Sequence, residues 1–241
     1  MKDAEFEKRN KVFMNKMKDG NLKRISKQWF LQSVKYEYSY HFRWLGVPII
    51  QYPQDIIAYQ EVIWNVKPDL IIETGIARGG SLIFSASILE MIGKGKVVGI
   101  DIDIRKHNRR AIEKHPLNNR IMMIEGSSID EKTVRIVRRL ARGKKKILLM
   151  LDSNHTHDHV LNELRLYSSL VSKNSYIIVF DSVIEDLPDS LNENRPWGKG
   201  NNPKTAISQF LKENNRFVMD EQIKNKLAIS ATPYGYLKCI R

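Results

Sequence analysis

The sequence predicts an α/β protein in which helices cover both faces of a doubly wound, mostly parallel sheet. Its short apolar segments lack alternating polar residues, which is typical of strands that are buried on both faces of a sheet. Segments with helical apolar spacing separate these strands and the links are short, as in parallel βαβ units. A glycine-rich turn directly follows the first strand, at the position where doubly wound sheets bind ligands. These three observations define the fold class.

Strands and helices alternate regularly until the last part of the chain. The predicted strands are 70–73, 96–101, 120–126, 146–151 and 175–180. The predicted helices are 55–66, 81–92, 105–114, 131–142, 159–171 and 205–214. Beyond the last helix, FVMDEQ and AISATPYGYLKCI predict two strands joined by a short loop. An antiparallel hairpin at the end of the sheet is therefore expected.

The composition is that of a folded protein with one large domain. Of the 241 residues, 42% are hydrophobic and 28% are charged, close to the globular norm. We expect a main domain at 51–241 and a helical N-terminal cap at 1–50, which is too short and too polar for a core of its own. No apolar segment approaches the roughly 20 residues that span a bilayer. The single Cys239 leaves no intramolecular disulfide and suits a reducing compartment, so a cytoplasmic location is expected.

The net charge of +13 raises nucleic acid, an anionic membrane surface or a phosphorylated substrate as partners. The basic residues are dispersed, however. In the densest basic segment, 132–146, apolar residues such as Val134, Val137 and Ala141 recur at helical spacing, and the arginines lie largely off that stripe. We interpret the segment as a solvated helix face, and nucleic acid remains the weaker alternative. The exposed aromatic residues of the cap favour a homo-oligomer.

The glycine-rich turn, IIETGIARGGS, is informative through what it lacks. Gly75, Gly79 and Gly80 allow close approach of the backbone to a ligand. A dinucleotide fingerprint would need a glycine at the position of Ala77, and a phosphate loop would need a lysine at the position of Ser81. The turn therefore predicts a ligand without a pyrophosphate.

Acidic and small residues at successive strand ends indicate which ligand binds instead. Glu73 would repel a pyrophosphate but favour a cation, and S-adenosylmethionine carries a sulfonium and an ammonium without a phosphate. Asp101 ends the second strand, where an acid can accept both hydroxyls of a ribose. Ser127 and Ser128 follow the third strand, where an adenine edge can lie against the backbone. The predicted cofactor-binding residues are Glu73, Gly75, Ala77, Gly79, Gly80, Ser81, Asp101, Ser127 and Ser128.

Several long segments resemble the cephalosporin hydroxylase / rhamnosyl O-methyltransferase family. They include WLGVPIIQYPQD, IIETGIARGGSLIF, VVGIDIDIRKHNRRAIEKHPLNNRI and LDSNHTHDHVLNELRLYSSLVSKNSYIIV, and the resemblance covers roughly 40–241 in order. It implies a Rossmann-like, seven-stranded methyltransferase domain that uses S-adenosylmethionine, with Mg²⁺ or another divalent cation near the reacting methyl group. It also implies a saccharide or natural-product hydroxyl as the acceptor, and a role in processes such as polysaccharide biosynthesis.

Two aspartates at neighbouring strand ends predict a metal site. Asp152 and Asp181 follow the fourth and fifth strands, which we expect to be adjacent and about 4.8 Å apart. Two such carboxylates can share one hard cation, and the resemblance supports both as ligands. The family pattern ends the fifth strand with Glu-Asp, whereas this chain has Phe180-Asp181. The metal is therefore bound more weakly, recruits another residue such as Glu185, or has been lost.

Three histidines follow Asp152 closely. His155 and His159 have the spacing of a zinc pair on one helical face, but Thr156 is a plausible N-cap, so the helix begins after His155. Zinc is therefore not expected. We predict His155 as the general base and, with Asp152, as a catalytic residue, against the alternative of a histidine that only hydrogen-bonds the loop. His157 and His159 are expected on the helix surface, in its first turn.

The segment 185–206 lacks apolar periodicity and is rich in Asn, Gly and Pro. Loops of this length are usually functional or disordered. We consider it a substrate lid with Arg195 and Trp197 as contacts, or else a linker without a role. For the whole protein, the sequence favours a metal-assisted O-methyltransferase. An RNA methyltransferase or nucleic-acid binder, and an inactive family member that serves as an interaction protein, are the alternatives.

Overall fold

A computed structural model describes residues 3–241. Its helices are α1 (Ala4–Lys16), α2 (Gly20–Val34), α3 (Pro53–Val66), α4 (Gly80–Ile92), α5 (Lys106–Glu113), α6 (Glu131–Ala141), α7 (His157–Tyr167), α8 (Pro203–Glu213) and α9 (Glu221–Lys226). Its strands are β1 (Arg43–Trp44), β2 (Val47–Pro48), β3 (Leu70–Thr74), β4 (Lys96–Asp101), β5 (Ile121–Glu125), β6 (Ile147–Leu151), β7 (Tyr176–Val179), β8 (Phe217–Met219) and β9 (Tyr236–Cys239). The predicted strands and helices of the main domain are confirmed to within a few residues at their ends, except that the last predicted strand, 228–240, is a strand only at Tyr236–Cys239.

Seven strands form one sheet in the order β5-β4-β3-β6-β7-β9-β8, while β1 and β2 form a separate antiparallel pair. The first five strands in this order, β5, β4, β3, β6 and β7, run parallel. The chain order reverses at β3, which has β4 on one side and β6 on the other. A doubly wound sheet binds ligands beside such a reversal, at the carboxyl ends of the strands. The predicted fold class and the adjacency of β6 and β7 are both confirmed.

Alternate residues of the central strands enter two different cores. On β3, Leu70 and Ile72 pack with residues of α6, α7 and α8, whereas Ile71 packs with residues of α3, α4 and α5. All residues of β3 and β6 are buried. Because both faces are covered, these strands are apolar without alternation, as the sequence indicates, except for Glu73 and Thr74 at the end of β3. The predicted solvated face of α6 is also confirmed, since Arg135, Arg138 and Arg139 are exposed.

The C-terminal strands pair as predicted but are not joined by a short loop. Strand β9 lies between β7 and β8 and is antiparallel to both. The connection contains α9 and a further loop. Asp220 starts α9 because its side chain accepts hydrogen bonds from the backbone of Gln222 and Ile223. The buried Asp55 fixes the loop by accepting from Ser230 Oγ at 2.5 Å and Ala231 N at 2.8 Å. The expectation of a short loop was wrong. The contacts of Asp220 and Asp55 that shape the connection leave no signal in the pattern of apolar residues.

The N-terminal region consists of two helices and an aromatic cluster. Helix α1 buries no residue, whereas α2 buries Phe30, whose ring stacks on Tyr52 at 4.8 Å between centroids. Trp29 and Tyr38 lie against the same tyrosine. No helix among residues 3–241 is long and apolar enough to span a membrane.

Candidate active site

The ends of β3, β4, β6 and β7 bring most of the predicted site residues to one edge of the sheet. The backbone N–H of Asp152 donates to Thr74 O at 2.9 Å, and that of Gly75 donates to Ile100 O at 2.8 Å. The parallel hydrogen-bonding pattern thus continues one residue past the strands. It places the glycine-rich turn between the acidic ends of β4 and β6.

Glu73 is a buried carboxylate with one unsatisfied oxygen. Ser81 Oγ donates to Oε1, whereas Oε2 has no hydrogen-bond partner among residues 3–241. Burial raises the pKa of Glu73 to about 7, because removal from water disfavours the charged form. A cation placed beside the free oxygen would offset that cost. The side chain therefore fits the cationic ligand that the sequence predicts.

The glycines of the turn are required by contacts within the protein. A Cβ on Gly75, whose φ is +87°, would lie 2.1 Å from the carbonyl oxygen of Asp152. A Cβ on Gly80 would lie 2.2 Å from Pro48 O, on β2. We expected these glycines to let a ligand approach the backbone closely. At Gly75 and Gly80, other segments of the chain occupy that space instead. Ala77 is exposed and has a left-handed φ of +45°, a conformation that costs a non-glycine residue on the order of 1 kcal/mol.

Asp101 shapes the turn from the end of β4. Its Oδ2 accepts from the backbone N–H of Ile76 at 2.8 Å and of Ala77 at 3.2 Å, and its Oδ1 accepts from Asp103 N at 3.1 Å. Oδ2 already accepts two hydrogen bonds, so only Oδ1 retains an unused lone pair. Binding of a ribose by this carboxylate stays a prediction.

Ser127 and Ser128 differ in their surroundings. Ser128 is buried, and its hydroxyl lies 3.1 Å from His159 Nε2. Ser127 is half-buried and its carbonyl accepts from Asp130 N. Ser127 is therefore the more accessible of the two predicted adenine contacts.

Asp152, His155 and Asp181 form a cluster at the ends of β6 and β7. One ligand atom from each lies within 4.8 Å of the others, and His155 Nε2 is 3.2 Å from Asp181 Oδ2. Burial raises the pKa of Asp152 well above its usual range, and the neighbouring Asp181 raises it further. A divalent cation would offset both the burial and the repulsion between the carboxylates. Two carboxylates and an imidazole therefore fit a cation site.

The backbone explains why Phe180 is not part of this cluster. Phe180 N donates to Leu151 O at 3.0 Å, and the ring is buried edge-on against Tyr59. The next residue, Asp181, has a left-handed φ of +52° and turns the chain into a 3-10 helix at 182–186. Position 180 therefore faces the core and position 181 faces the cluster.

Glu185, which was considered as a replacement ligand, has a different role. Its Oε2 accepts from Gly200 N at 2.8 Å and from Asn202 Nδ2 at 2.5 Å, and so anchors the segment that precedes α8. His155 completes the cluster instead.

The segment 187–201 folds over the cluster through Trp197. The Trp197 and His155 rings meet edge to face with centroids 4.7 Å apart, and the Arg195 guanidinium lies 5.4 Å from the Trp197 ring centroid. Of the two predicted contacts, Trp197 thus lies beside the site, and Arg195 reaches it through Trp197.

The other two histidines lie in α7, as predicted, but they are half-buried and hydrogen-bonded. His157 binds α8 through Thr205 Oγ1 at 2.8 Å and Gln209 Oε1 at 3.1 Å. His159 Nε2 lies 3.1 Å from both Ser128 Oγ and Ser153 Oγ. Their expected surface position was wrong because Ser128, Thr205 and Gln209 come from segments distant in the sequence.

Two residues before α3 were not predicted as part of the site. Gln51 Nε2 donates to Asp152 Oδ2 at 3.1 Å. Burial raises the pKa of Tyr52, and the charges of Asp55 and Asp181 raise it further. Tyr52 thus belongs to the aromatic cluster of the N-terminal region and is also close enough to Asp181 to be affected by its charge. The only signal in the sequence was the concentration of aromatic residues before this point.

Known proteins resemble the chain over most of its length. The family model described as Rhamnosyl O-methyltransferase/CmcI matches residues 36–240. A rhamnosyl O-methyltransferase of Mycobacterium bovis is 31% identical over 197 residues, which are 80% of this chain and 76% of that protein. The Mycobacterium tuberculosis H37Rv protein of the same name matches equally well.

Solved methyltransferase structures share the fold. A CmcI structure with Mg and SAM has a TM-score of 0.59 and 19% identity, and the match covers 84% of this chain and 78% of that one. An O-methyltransferase from Bacillus cereus in complex with SAH has a TM-score of 0.53 and 14% identity, and the match covers 84% and 83%.

Proposed function

Because the chain belongs to the rhamnosyl O-methyltransferase/CmcI family and is thus an S-adenosylmethionine-dependent O-methyltransferase, we propose that it methylates a saccharide hydroxyl. We propose further that a divalent cation assists the reaction. The observation that carries the proposal is the position of the Asp152–His155–Asp181 cluster directly against the glycine-rich turn. The relatives' name, with its rhamnosyl group, supports a sugar acceptor over other hydroxyl compounds.

The cofactor-binding residues fit S-adenosylmethionine in charge. The unsatisfied Oε2 of Glu73 would face the ammonium or the sulfonium. Asp101 would hold the ribose, and the backbone around Ser127 the adenine. Gly75, Gly79 and Gly80 would act indirectly, by letting the turn pack closely against its neighbours. S-adenosylmethionine supplies an electrophilic methyl group to a hydroxyl oxygen.

The cation would be held by Asp152, His155 and Asp181. A hard oxygen-only site suits Mg²⁺, whereas an imidazole ligand also suits Mn²⁺, Co²⁺ and Zn²⁺. We therefore propose a metal preference shifted from Mg²⁺ toward Mn²⁺. A cation in this position lowers the pKa of a nearby hydroxyl.

The His155 nitrogen that lies in the cluster is Nε2. This atom cannot bind a cation and accept a proton at the same time. It faces Asp181 Oδ2, and either role requires Nε2 to be unprotonated. As a ligand, Nε2 completes the cation site. As the general base, Nε2 accepts the proton of the acceptor hydroxyl while Asp181 stabilises the charged ring. The geometry favours the ligand role, and Asp152 would then orient the acceptor hydroxyl.

Mn²⁺ binding separates the two roles of His155. If it is a ligand, His155→Gln weakens Mn²⁺ binding, measured by electron paramagnetic resonance, by tenfold or more. If it is the base, Mn²⁺ affinity is retained while the pH dependence of methyl transfer loses its lower limb. His157→Gln is the matched control, because His157 binds α8 and not the cluster.

Cofactor binding tests the proposal as a whole. S-adenosylmethionine should raise the melting temperature, and Asp101→Ala should remove the shift. Transfer of a methyl group to a panel of rhamnosides and related glycosides, followed by mass spectrometry, identifies the acceptor. Failure to bind at millimolar cofactor would overturn the proposal.

The same proposal includes the location, the domain organisation and the oligomeric state of the protein. The protein would act in the cytoplasm on a small acceptor, with residues 1–50 as a cap on the methyltransferase domain at 51–241. The exposed Phe6, Phe13 and Trp29 support self-association. Light scattering at several concentrations measures the oligomeric state. Indifference to RNA at low salt would exclude the nucleic-acid alternative.

A further inference from the structure

A cavity of about 280 Å³ lies between α2 and the segment 227–234 that follows α9. We call it the cap cavity. Its lining includes none of Glu73, Asp101, Asp152, His155 or Asp181. It is therefore separate from the candidate active site.

The walls of the cap cavity are mostly apolar. They include Leu22, Phe30, Leu31, Val183, Leu187 and Ile229. On α2 these residues lie at helical spacing, and Phe30 anchors the helix by stacking on Tyr52. The cavity thus offers a preformed apolar surface between two parts of the chain, a common position for small-molecule sites.

Its mouth is positively charged. Lys23 and Lys27 line the cavity one helical turn apart, and neither forms an ion pair within residues 3–241. Like charges at this spacing repel each other. The lining acid Asp186 is already bound by Lys204, whose Nζ lies 3.1 Å from its Oδ1. The two exposed lysines are therefore available to an anionic ligand.

The far wall of the cavity is connected to the active site. Val183 and Asp186 belong to the 3-10 helix that begins directly after Asp181. Val183 N donates to Ala231 O at 3.1 Å, and Tyr234 N donates to Ser182 Oγ at 3.0 Å. A ligand that fills the cavity would therefore contact the 3-10 helix that directly follows Asp181.

We propose that the cap cavity binds a single-chain amphiphile with an anionic head group, with its apolar chain inside the cavity and its head group between Lys23 and Lys27. A second copy of the chain is a poorer occupant, because both copies would bring the same unpaired lysines to the contact. A neutral apolar molecule would leave the repulsion between the lysines in place.

Decanoate and decanol are suitable probes, because they share a ten-carbon chain and differ in head-group charge. We expect decanoate to bind about tenfold more tightly than decanol in calorimetry at moderate salt. In the double variant Lys23→Gln/Lys27→Gln, decanoate should fall to the affinity of decanol while decanol binding is unchanged. Ala228→Phe, which places a ring at the exposed rim of the cavity, should weaken both probes.

Lys35→Gln is the matched control, since Lys35 caps the same helix but does not line the cavity. Equal binding of the two probes within the solubility of decanol, no binding of decanoate at millimolar concentration, or equal loss in Lys35→Gln would overturn the proposal. Unchanged melting temperatures show that the variants fold. None of these measurements requires methyl transfer, so a failure here is distinguishable from a failure of the proposed function.

Discussion

Gly75, in the glycine-rich turn, is packed against the carbonyl group of Asp152, the first residue of the Asp152–His155–Asp181 cluster. A Cβ at position 75 would lie 2.1 Å from Asp152 O and 2.9 Å from Ser153 N. The proposed cofactor site and the proposed metal site therefore share a backbone contact. A change on one side of this contact must displace the other.

We predict that Gly75→Ala impairs both S-adenosylmethionine binding and Mn²⁺ binding. The substitution forces the chain apart at the contact and strains a residue with a φ of +87°, with an expected loss of about 2 kcal/mol or more in the free energy of unfolding. Gly93→Ala is the matched control, because Gly93 has a φ of +81° and open space around its Cα. If the two variants behave alike, the contact has no functional effect.

The raised pKa of Glu73 predicts a pH-dependent cofactor affinity. Without cofactor the carboxyl is protonated below about pH 7, and binding of a cation beside it requires the ionised form. The affinity should therefore fall up to about tenfold per pH unit below 7 and level off above it. Calorimetry across the range from pH 5.5 to pH 8 measures this.

Two comparisons identify the group that Glu73 recognises. S-adenosylhomocysteine retains the ammonium but lacks the sulfonium, so a pH dependence shared by both ligands points to the ammonium. Glu73→Gln keeps a hydrogen-bonding partner for Ser81 and should give a weaker, pH-independent affinity. A pH-independent wild type would contradict the assignment.

Phe180→Glu, which restores the acid of the family pattern, should not strengthen the metal site. Position 180 is buried against Tyr59 and is 2% exposed. An unpaired carboxyl there should cost about 3 kcal/mol or more in the free energy of unfolding, measurable by urea denaturation. Phe180→Leu, the control, should cost about 1 kcal/mol. Tighter Mn²⁺ binding by a stable Phe180→Glu protein would show that the backbone can turn this position toward the cluster.

Trp197→Ala should raise the KM for the acceptor by about tenfold and leave the cofactor Kd unchanged. The ring covers His155 on the side of the loop, and aromatic rings contribute about 1 kcal/mol beyond their burial at such contacts. Trp197→Phe should retain most of the affinity. Unchanged kinetics in the alanine variant would favour the interpretation of 185–206 as a linker without a role.

The sequence best predicted those site residues whose position is fixed by the end of a single strand. Strand burial, the β6–β7 neighbourhood and the positions of Glu73 and Asp152 follow from apolar runs and from parallel topology. Asp181 also follows from its position after β7. These are local properties, and they survive folding because the sheet fixes their environment.

What the sequence could not predict depends on partners distant in the chain. His159 was assigned to the surface because Ser128 is 31 residues away, and the contact of Gln51 with Asp152 spans 101 residues. The direction of Phe180 depends on the left-handed conformation of the next residue, which is an aspartate and not a glycine. The acceptor could not be predicted, because the loop at 185–206 and the aromatic residues of the N-terminal region carry no periodic signal.

The position of β9 has a consequence for the order of folding. Strand β7 pairs with β9 across about 60 positions of the sequence, from 176–178 to 236–238. Until that long closure occurs, β7 has one open edge, and such an edge is prone to pair with another chain. The residues that lead into Asp181 therefore reach their final support late. Slow folding or aggregation during expression should respond first to changes in β9 and in the Asp55 contact that holds its preceding loop.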